Sequence, residues 1–145
     1  MTQETTAPPV RRKVTDTLIA ISWLTLLGVM FGGYSLLRLL TEIGIDAHAE
    51  QFFRAGHAHA GILTAIGILY VMSANRAGLS DRATIISFLV YFTGMGLLSG
   101  GFFVHMALGS PGKSSLGTSV MAPVGSVLLA TAIVYLTFRL FRRRS

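Results

Sequence analysis

Histidine is the residue type in this sequence that is best suited to chemistry. Four histidines occur, at positions 48, 57, 59 and 105. Three of them lie in short apolar stretches, Ala55-Gly56-His57-Ala58-His59-Ala60-Gly61 and Gly101-Phe102-Phe103-Val104-His105. A neutral imidazole is a common axial ligand of haem iron and an equally common ligand of zinc or copper. His57, His59 and His105 are therefore candidate metal ligands, whereas a single histidine in such a place more often only hydrogen-bonds headgroups or helix ends.

The spacing of His57 and His59 limits how they can act together. Side chains two residues apart on an α-helix point about 200° apart, because each residue turns the helix by about 100°. Either the helix starts near residues 56–58 and leaves His57 irregular, or one histidine is a ligand and the other has a different role. His59 shares its face with an apolar surface that is suited to walling a flat cofactor, formed by Leu63, Ile66, Gly67 and Tyr70.

Haem and a bare metal ion place different demands on the chain. Haem takes one or two histidines and a large apolar slot, which glycine-rich apolar helices provide. Zinc takes four ligands in tetrahedral closure, for which three histidines with Asp46 or Glu50 just suffice. Copper is the other alternative, and His48, predicted to lie in the loop above the other histidines, is a further ligand for either ion.

The composition indicates that lipid is the main solvent of this chain. Of its 145 residues, 52% are hydrophobic and only 12% are charged, which is too apolar for a soluble fold of this length. The net charge of +6 does not indicate nucleic acid, because the basic residues sit at the ends of apolar segments and form no patch interleaved with aromatics. The absence of cysteine excludes disulfides, thiolate metal sites and cysteine nucleophiles.

Four segments have the length of membrane-spanning helices, which need about 20 apolar residues. They predict an all-α membrane protein, a four-transmembrane-helix bundle with spans at about residues 17–38, 56–75, 83–107 and 118–139. Residues 1–15 are polar and basic, which predicts a flexible cytoplasmic tail ahead of a single transmembrane domain over residues 16–145. Close helix packing is predicted at two pairs of glycines with small-residue spacing, Gly28 with Gly32 and Gly96 with Gly100.

Basic residues predict the direction of the spans. They precede the first span at 11–13, flank the loop after the second at 76 and 82, and follow the fourth at 139–144. Because cytoplasmic loops carry the excess of Lys and Arg, both termini are predicted to be cytoplasmic, in the inner membrane of a bacterial-type cell, with the histidines near the outer face. Arg38 and Arg54 are exceptions. No charged residue lies deep in a span, which disfavours a proton-coupled transporter.

Two motifs resemble those of styrene oxide isomerase, a family of small four-span bacterial membrane enzymes that hold ferric haem. One is Arg54 followed by Ala58-His59-Ala60-Gly61, and the other is Gly101-Phe102-Phe103 before Ser110-Pro111. The resemblance implies that His59 is the axial ligand of a b-type haem and that Gly101 and Phe103 contact the cofactor. It also implies a homotrimer with haem at subunit interfaces, and an iron that acts as a Lewis acid to open a small lipophilic epoxide toward an aldehyde.

The chain departs from that family at two positions near the substrate. Phe103 stands where the family has a tyrosine, and Ala65 stands where it has an asparagine. Polar groups that would orient the substrate are therefore missing, while His57 and His105 are additional.

Three functions remain open at the level of sequence. The first is a haem-dependent epoxide isomerase with His59 as the ligand and the other face of the iron open. The second is an electron-transfer protein in which His59 and His105 both ligate haem and exchange electrons with quinone. The third is a haem-free membrane protein that binds copper or zinc through His57, His59, His105 and His48, or binds no metal.

Overall fold

The computed structural model describes residues 13–143, and four long helices account for most of them. The helices are α1 (Lys13–Arg38), α2 (Ala47–Arg76), α3 (Asp81–Leu108) and α4 (Ala122–Arg142), with π-helical turns over Leu39–Ile43 after α1 and over Gly117–Met121 before α4. All four are long and apolar enough to cross a membrane. The prediction of an all-α protein with four spanning helices is confirmed. Residues 1–12 of the predicted tail lie outside the described residues, and α1 already begins at Lys13.

Helix α2 begins well before the predicted span. Asp46 caps it by accepting a hydrogen bond from the backbone N–H of Ala49 at 2.8 Å, which satisfies one of the free N–H groups of the first turn. Glu50 then pairs with Arg54 at 2.8 Å, one helical turn apart. The prediction that His48 lies in a loop is therefore wrong: the capped, ion-paired segment continues the helix outward, and His48 belongs to its first turn.

Arg38, the other arginine that does not fit the predicted distribution of basic residues, also forms an ion pair. Arg38 pairs with Glu42 at 2.6 Å across the π-helical turn that ends the first span. Arg38 and Arg54 thus each have a carboxylate partner four residues away along the chain.

Helix α3 is the centre of the bundle. It packs extensively against both α2 and α4, whereas α1 packs mainly on α2. The largest buried cluster joins α2, α3, α4 and the α2–α3 turn, and its members are Tyr70, Ala74, Ala77, Leu79, Tyr91, Met95, Leu129, Ala132 and Leu136. This core lies toward the end of the bundle opposite to the histidines. The outer face of α1 exposes large apolar side chains, among them Trp23, Leu27 and Phe31, as expected of a lipid-facing surface.

Glycine lets α3 and α4 approach closely, but not at the predicted pairs. A Cβ on Gly125 would stand 2.7 Å from the carbonyl oxygen of Gly94, and a Cβ on Gly101 would stand 2.7 Å from that of Gly117. By contrast, a Cβ on Gly28 or Gly96 would meet nothing within 4 Å. The second glycine of each predicted pair does face a neighbour, since a Cβ on Gly32 would lie 3.7 Å from His57 and one on Gly100 would lie 3.5 Å from Met121. The spacing signal alone carries no information about the rotation of a helix against its neighbour.

We expect Gly125→Ala to destabilise the bundle by about 1–3 kcal/mol, because its methyl group would have to push α3 and α4 apart. Gly96→Ala is the matched control, since its methyl group meets open space, and its effect should stay within about 1 kcal/mol. Unfolding in detergent, followed by circular dichroism, measures both variants. Equal effects of the two substitutions would contradict this account of α3–α4 packing.

Candidate functional site

The four histidines lie at one end of the bundle but in different surroundings. His48, His57 and His59 occupy the N-terminal half of α2, and His105 lies in the last turn of α3, which runs antiparallel beside it. Because α2 is a regular helix from Ala47, the alternative in which His57 is irregular is wrong. His57 and His59 point to different neighbours, as their two-residue spacing predicts.

His57 faces α1. Its imidazole lies against Gly33, where an added Cβ would stand 3.0 Å from both Cε1 and Nε2 of the ring. A groove of about 400 Å³ opens beside it between the helices. The groove is almost wholly apolar, and its lining residues are Thr25, Gly28, Val29, Gly32, His57, Ala60 and Phe103.

His59 lies on the outside of the bundle. Its Nδ1 is 2.8 Å from the backbone carbonyl oxygen of Ala55, and its ring lies 4.8 Å from the ring of Phe102 at a tilt of 31°. A carbonyl oxygen only accepts, so Nδ1 carries the proton, and a neutral ring with this tautomer has its lone pair at Nε2. Within residues 13–143 no hydrogen bond occupies that Nε2. His59 is therefore exposed, has a fixed ring orientation and offers one nitrogen, Nε2, to a metal ion.

His105 is buried instead, with 5% of its surface exposed. Its Nδ1 lies 2.8 Å from the hydroxyl oxygen of Ser115 in the connection between α3 and α4. Its ring lies 4.2 Å from Phe52 and 5.2 Å from His48. His105 thus holds the α3–α4 connection against the first turns of α2.

The structure does not bring His57, His59 and His105 together. Across residues 13–143 it contains no group of three or more histidine or acidic side chains placed to hold a metal ion. The two carboxylates proposed as additional zinc ligands are engaged elsewhere, Asp46 as the cap of α2 and Glu50 with Arg54. His59 and His105 likewise contact different rings, Phe102 for the first and Phe52 and His48 for the second.

The apolar face below His59 is filled by protein. The predicted gap at Gly67 is occupied by the ring of Tyr91, which would lie 3.2 Å from an added Cβ. The Tyr91 hydroxyl donates to the carbonyl of Leu63 at 2.8 Å, and the ring of Tyr91 stacks on that of Tyr70. A cofactor bound to His59 must therefore lie outside the helix pair rather than between its two members.

The two other predicted cofactor contacts have separate positions. Phe103 packs edge-on against Phe53 at 5.3 Å and lines the groove beside His57. Gly101 is buried against α4, where it serves helix packing. Phe52 and Ser115, the partners of His105, were not predicted from the sequence. His48 and Phe52 are four residues apart, so they share one face of α2. The sequence indicates this once Asp46 is recognised as the cap of that helix.

Comparison with protein-family models, with curated proteins and with solved structures finds no match to this chain.

Removal of the Ser115 hydroxyl should loosen the histidine end of the bundle. We expect Ser115→Ala to lower the free energy of unfolding by about 1 kcal/mol, the net value of one intramolecular hydrogen bond. Ser119→Ala, at an exposed position in the following turn, is the control and should be close to neutral. Thermal unfolding in detergent distinguishes the two, and an unchanged midpoint for Ser115→Ala would exclude a stabilising role for this bond.

Proposed function

We propose that this chain is a membrane haem protein of the styrene oxide isomerase type, with His59 as the axial ligand of a ferric b-type haem and a small lipophilic epoxide as its substrate. One observation carries the proposal: His59 directs its Nδ1 to the carbonyl of Ala55 and leaves Nε2 free on an exposed face. Haem and metal-binding histidines commonly have such an outer partner, which fixes the tautomer and the ring orientation.

The surroundings of His59 fit a flat apolar group. Phe102 lies against one side of the imidazole and holds its orientation. Farther along the helix, the exposed side chains of α2 are apolar, including Ile62 at 62% exposure and Leu69 at 60%. A porphyrin held by His59 would contact this apolar surface with its ring.

A single chain offers only one wall to such a group. The resemblance implies a trimer with haem at subunit interfaces, and the exposure of His59 supports that arrangement. In this proposal a second copy of the chain covers the other face of the haem. His105 is buried against His48 and Phe52, whereas His59 is exposed beside Phe102, and this separation favours an iron with one protein ligand over the six-coordinate electron-transfer alternative.

When bound, a ferric haem supplies a Lewis-acidic iron that can accept the lone pair of an epoxide oxygen. The groove beside His57 and Phe103 is also apolar, but it opens toward α1, on another side of α2 from His59, so it is separate from the position of an epoxide bound to this iron. Thr25 adds no free donor to this groove, since its hydroxyl donates to the carbonyl of Ile21 at 2.9 Å. His57 is the one ionisable side chain among the groove residues, so it is the side chain there that can hydrogen-bond an oxygen-containing molecule in the groove.

The haem ligand can be tested by comparing two histidines on the same helix. Protein purified from haem-supplied cells should show a Soret band, which His59→Ala should abolish and His57→Gln should retain. Among residues 13–143, His59 is the histidine whose ring is oriented by a backbone carbonyl with its other nitrogen unbonded on the outside of the bundle. Styrene oxide should be converted to an aldehyde by the wild type and not by His59→Ala. A wild-type protein without a Soret band, or a band that survives His59→Ala, would refute the assignment.

We also propose that both termini face the cytoplasm of a bacterial-type cell and that the histidines lie near the outer face of the inner membrane. The pairing of Arg38 with Glu42 and of Arg54 with Glu50 supports this orientation. Most other Lys and Arg residues of the sequence lie at the opposite end, where cytoplasmic loops are expected to have them.

The absence of native cysteine makes the orientation directly testable. Ser114→Cys, in the α3–α4 connection, should react with a membrane-impermeant maleimide in intact spheroplasts. Asn75→Cys, at the exposed end of α2, should react only after the membrane is permeabilised. The reverse pattern of labelling would overturn the proposed topology.

A further inference from the structure

A second histidine pair lies apart from His59, where the first turn of α2 meets the last turn of α3. The rings of His48 and His105 have centroids 5.2 Å apart and planes inclined by 61°. Phe52, one turn after His48, contacts both rings, at 4.8 Å and 4.2 Å. Phe52 therefore forms an apolar wall along one side of the pair.

Not every ring nitrogen of this histidine pair has a hydrogen-bond partner among the described residues. The Nε2 of His48 is buried and has no hydrogen-bond partner within the described chain. Burial of an unpaired ring nitrogen costs free energy, and such atoms in native proteins call for an occupant. His105 is already oriented by Ser115 at its Nδ1, an outer partner of the kind that metal-binding histidines commonly have.

We propose that His48 and His105 bind one transition-metal ion that prefers imidazole, Zn²⁺ or Cu²⁺, at a site separate from the haem ligand His59. Two imidazoles that share a tetrahedral ion through metal–nitrogen bonds of about 2.0–2.1 Å have ring centroids about 5 Å apart. The observed separation of 5.2 Å matches that geometry. The pair needs no change in the fold to meet this distance requirement.

Room for further ligands exists beside the pair. A groove of about 410 Å³ opens next to both rings and is lined by Ala47, His48, Gln51, Phe52, His105, Pro111 and Gly112. Gln51 offers an amide oxygen and the open groove admits water, which completes a four-coordinate site and provides an entry path.

The charges around the pair decide the class of ion. Asp46 is occupied as the helix cap and Glu50 by Arg54, so the donors that remain are neutral nitrogens and an amide. Calcium and magnesium require several oxygen ligands and carboxylates, whereas imidazole suits zinc and copper. The site therefore favours these two ions over the hard divalent cations.

Copper titration of the purified chain tests the proposal. Tag-free protein in nanodiscs, washed with chelator, should bind one Cu²⁺ whose electron paramagnetic resonance spectrum shows coupling to two imidazole nitrogens. His48→Gln should weaken the affinity at least tenfold, in line with the effect of losing an ordered part of a metal site. His57→Gln, another partly buried histidine of α2, is the matched control and should bind as the wild type does.

A second measurement guards against misfolding of the variants. Zn²⁺ should raise the midpoint of thermal unfolding of the wild type and of His57→Gln, but not of His48→Gln or His105→Gln, because an ion stabilises only a fold that binds it. Copper that shows coupling to fewer than two nitrogens, or equal affinities in His48→Gln and the control, would overturn the site. The Soret band should persist in His48→Gln, so failure of this site and failure of the haem proposal are distinguishable.

Discussion

Hydrocarbon offers no partner to a polar atom, and this constraint determines how nearly every polar side chain of the bundle is used. Thr64 returns its hydroxyl to the carbonyl of Ala60 at 2.7 Å, one turn back on its own helix. Tyr91 reaches the carbonyl of Leu63 on the neighbouring helix. His59 does the same with the carbonyl of Ala55, but imidazole has a second nitrogen. A histidine satisfied in this way still has one donor or acceptor to offer, and that property makes it the residue through which this apolar fold can do chemistry.

The central position of α3 connects the two ends of the molecule. Its glycines bring α4 close, its tyrosine fills the gap in α2, and its last turn carries His105. Phe102 and Phe103, adjacent on α3, face different features: Phe102 lies against His59, and Phe103 lines the groove with His57. One helix therefore supports both the proposed haem ligand and the apolar groove beside His57, and a rotation of α3 would alter both.

Much of this architecture could be predicted because it depends on length and apolarity alone. The four spans follow from those properties, and the divergence of His57 from His59 follows from the helical repeat. Helix α2 begins before the predicted span because spans are predicted from uninterrupted apolar stretches, which Glu50 and Arg54 break, although charges four residues apart stabilise a helix by pairing. Asp46, an N-cap residue type, is a local signal from which the start of this helix can be predicted.

The partners of the histidines were beyond the reach of the sequence. Which imidazole faces α1 and which faces outward depends on the rotation of α2 about its axis, and that rotation is set by packing against Gly33 and Phe102. Ser115 meets His105 only because the α3–α4 connection folds back over the end of α3. No periodic pattern of residues in the sequence predicts that this connection folds back.

The π-helical turn at Gly117–Met121 keeps the glycines before and in α4 facing the glycines of α3. Seven residues separate Gly94 from Gly101 on α3, whereas eight separate their partners Gly117 and Gly125. A regular helix repeats its face after about seven residues, so the eighth would turn Gly117 by about 100° away from α3. The wider π turn absorbs that extra residue. If one residue were deleted here, a regular helix would keep both glycines against α3, whereas a retained π turn would rotate Gly117 away from it. The position of Ser115 beside His105 depends on which of these two conformations forms.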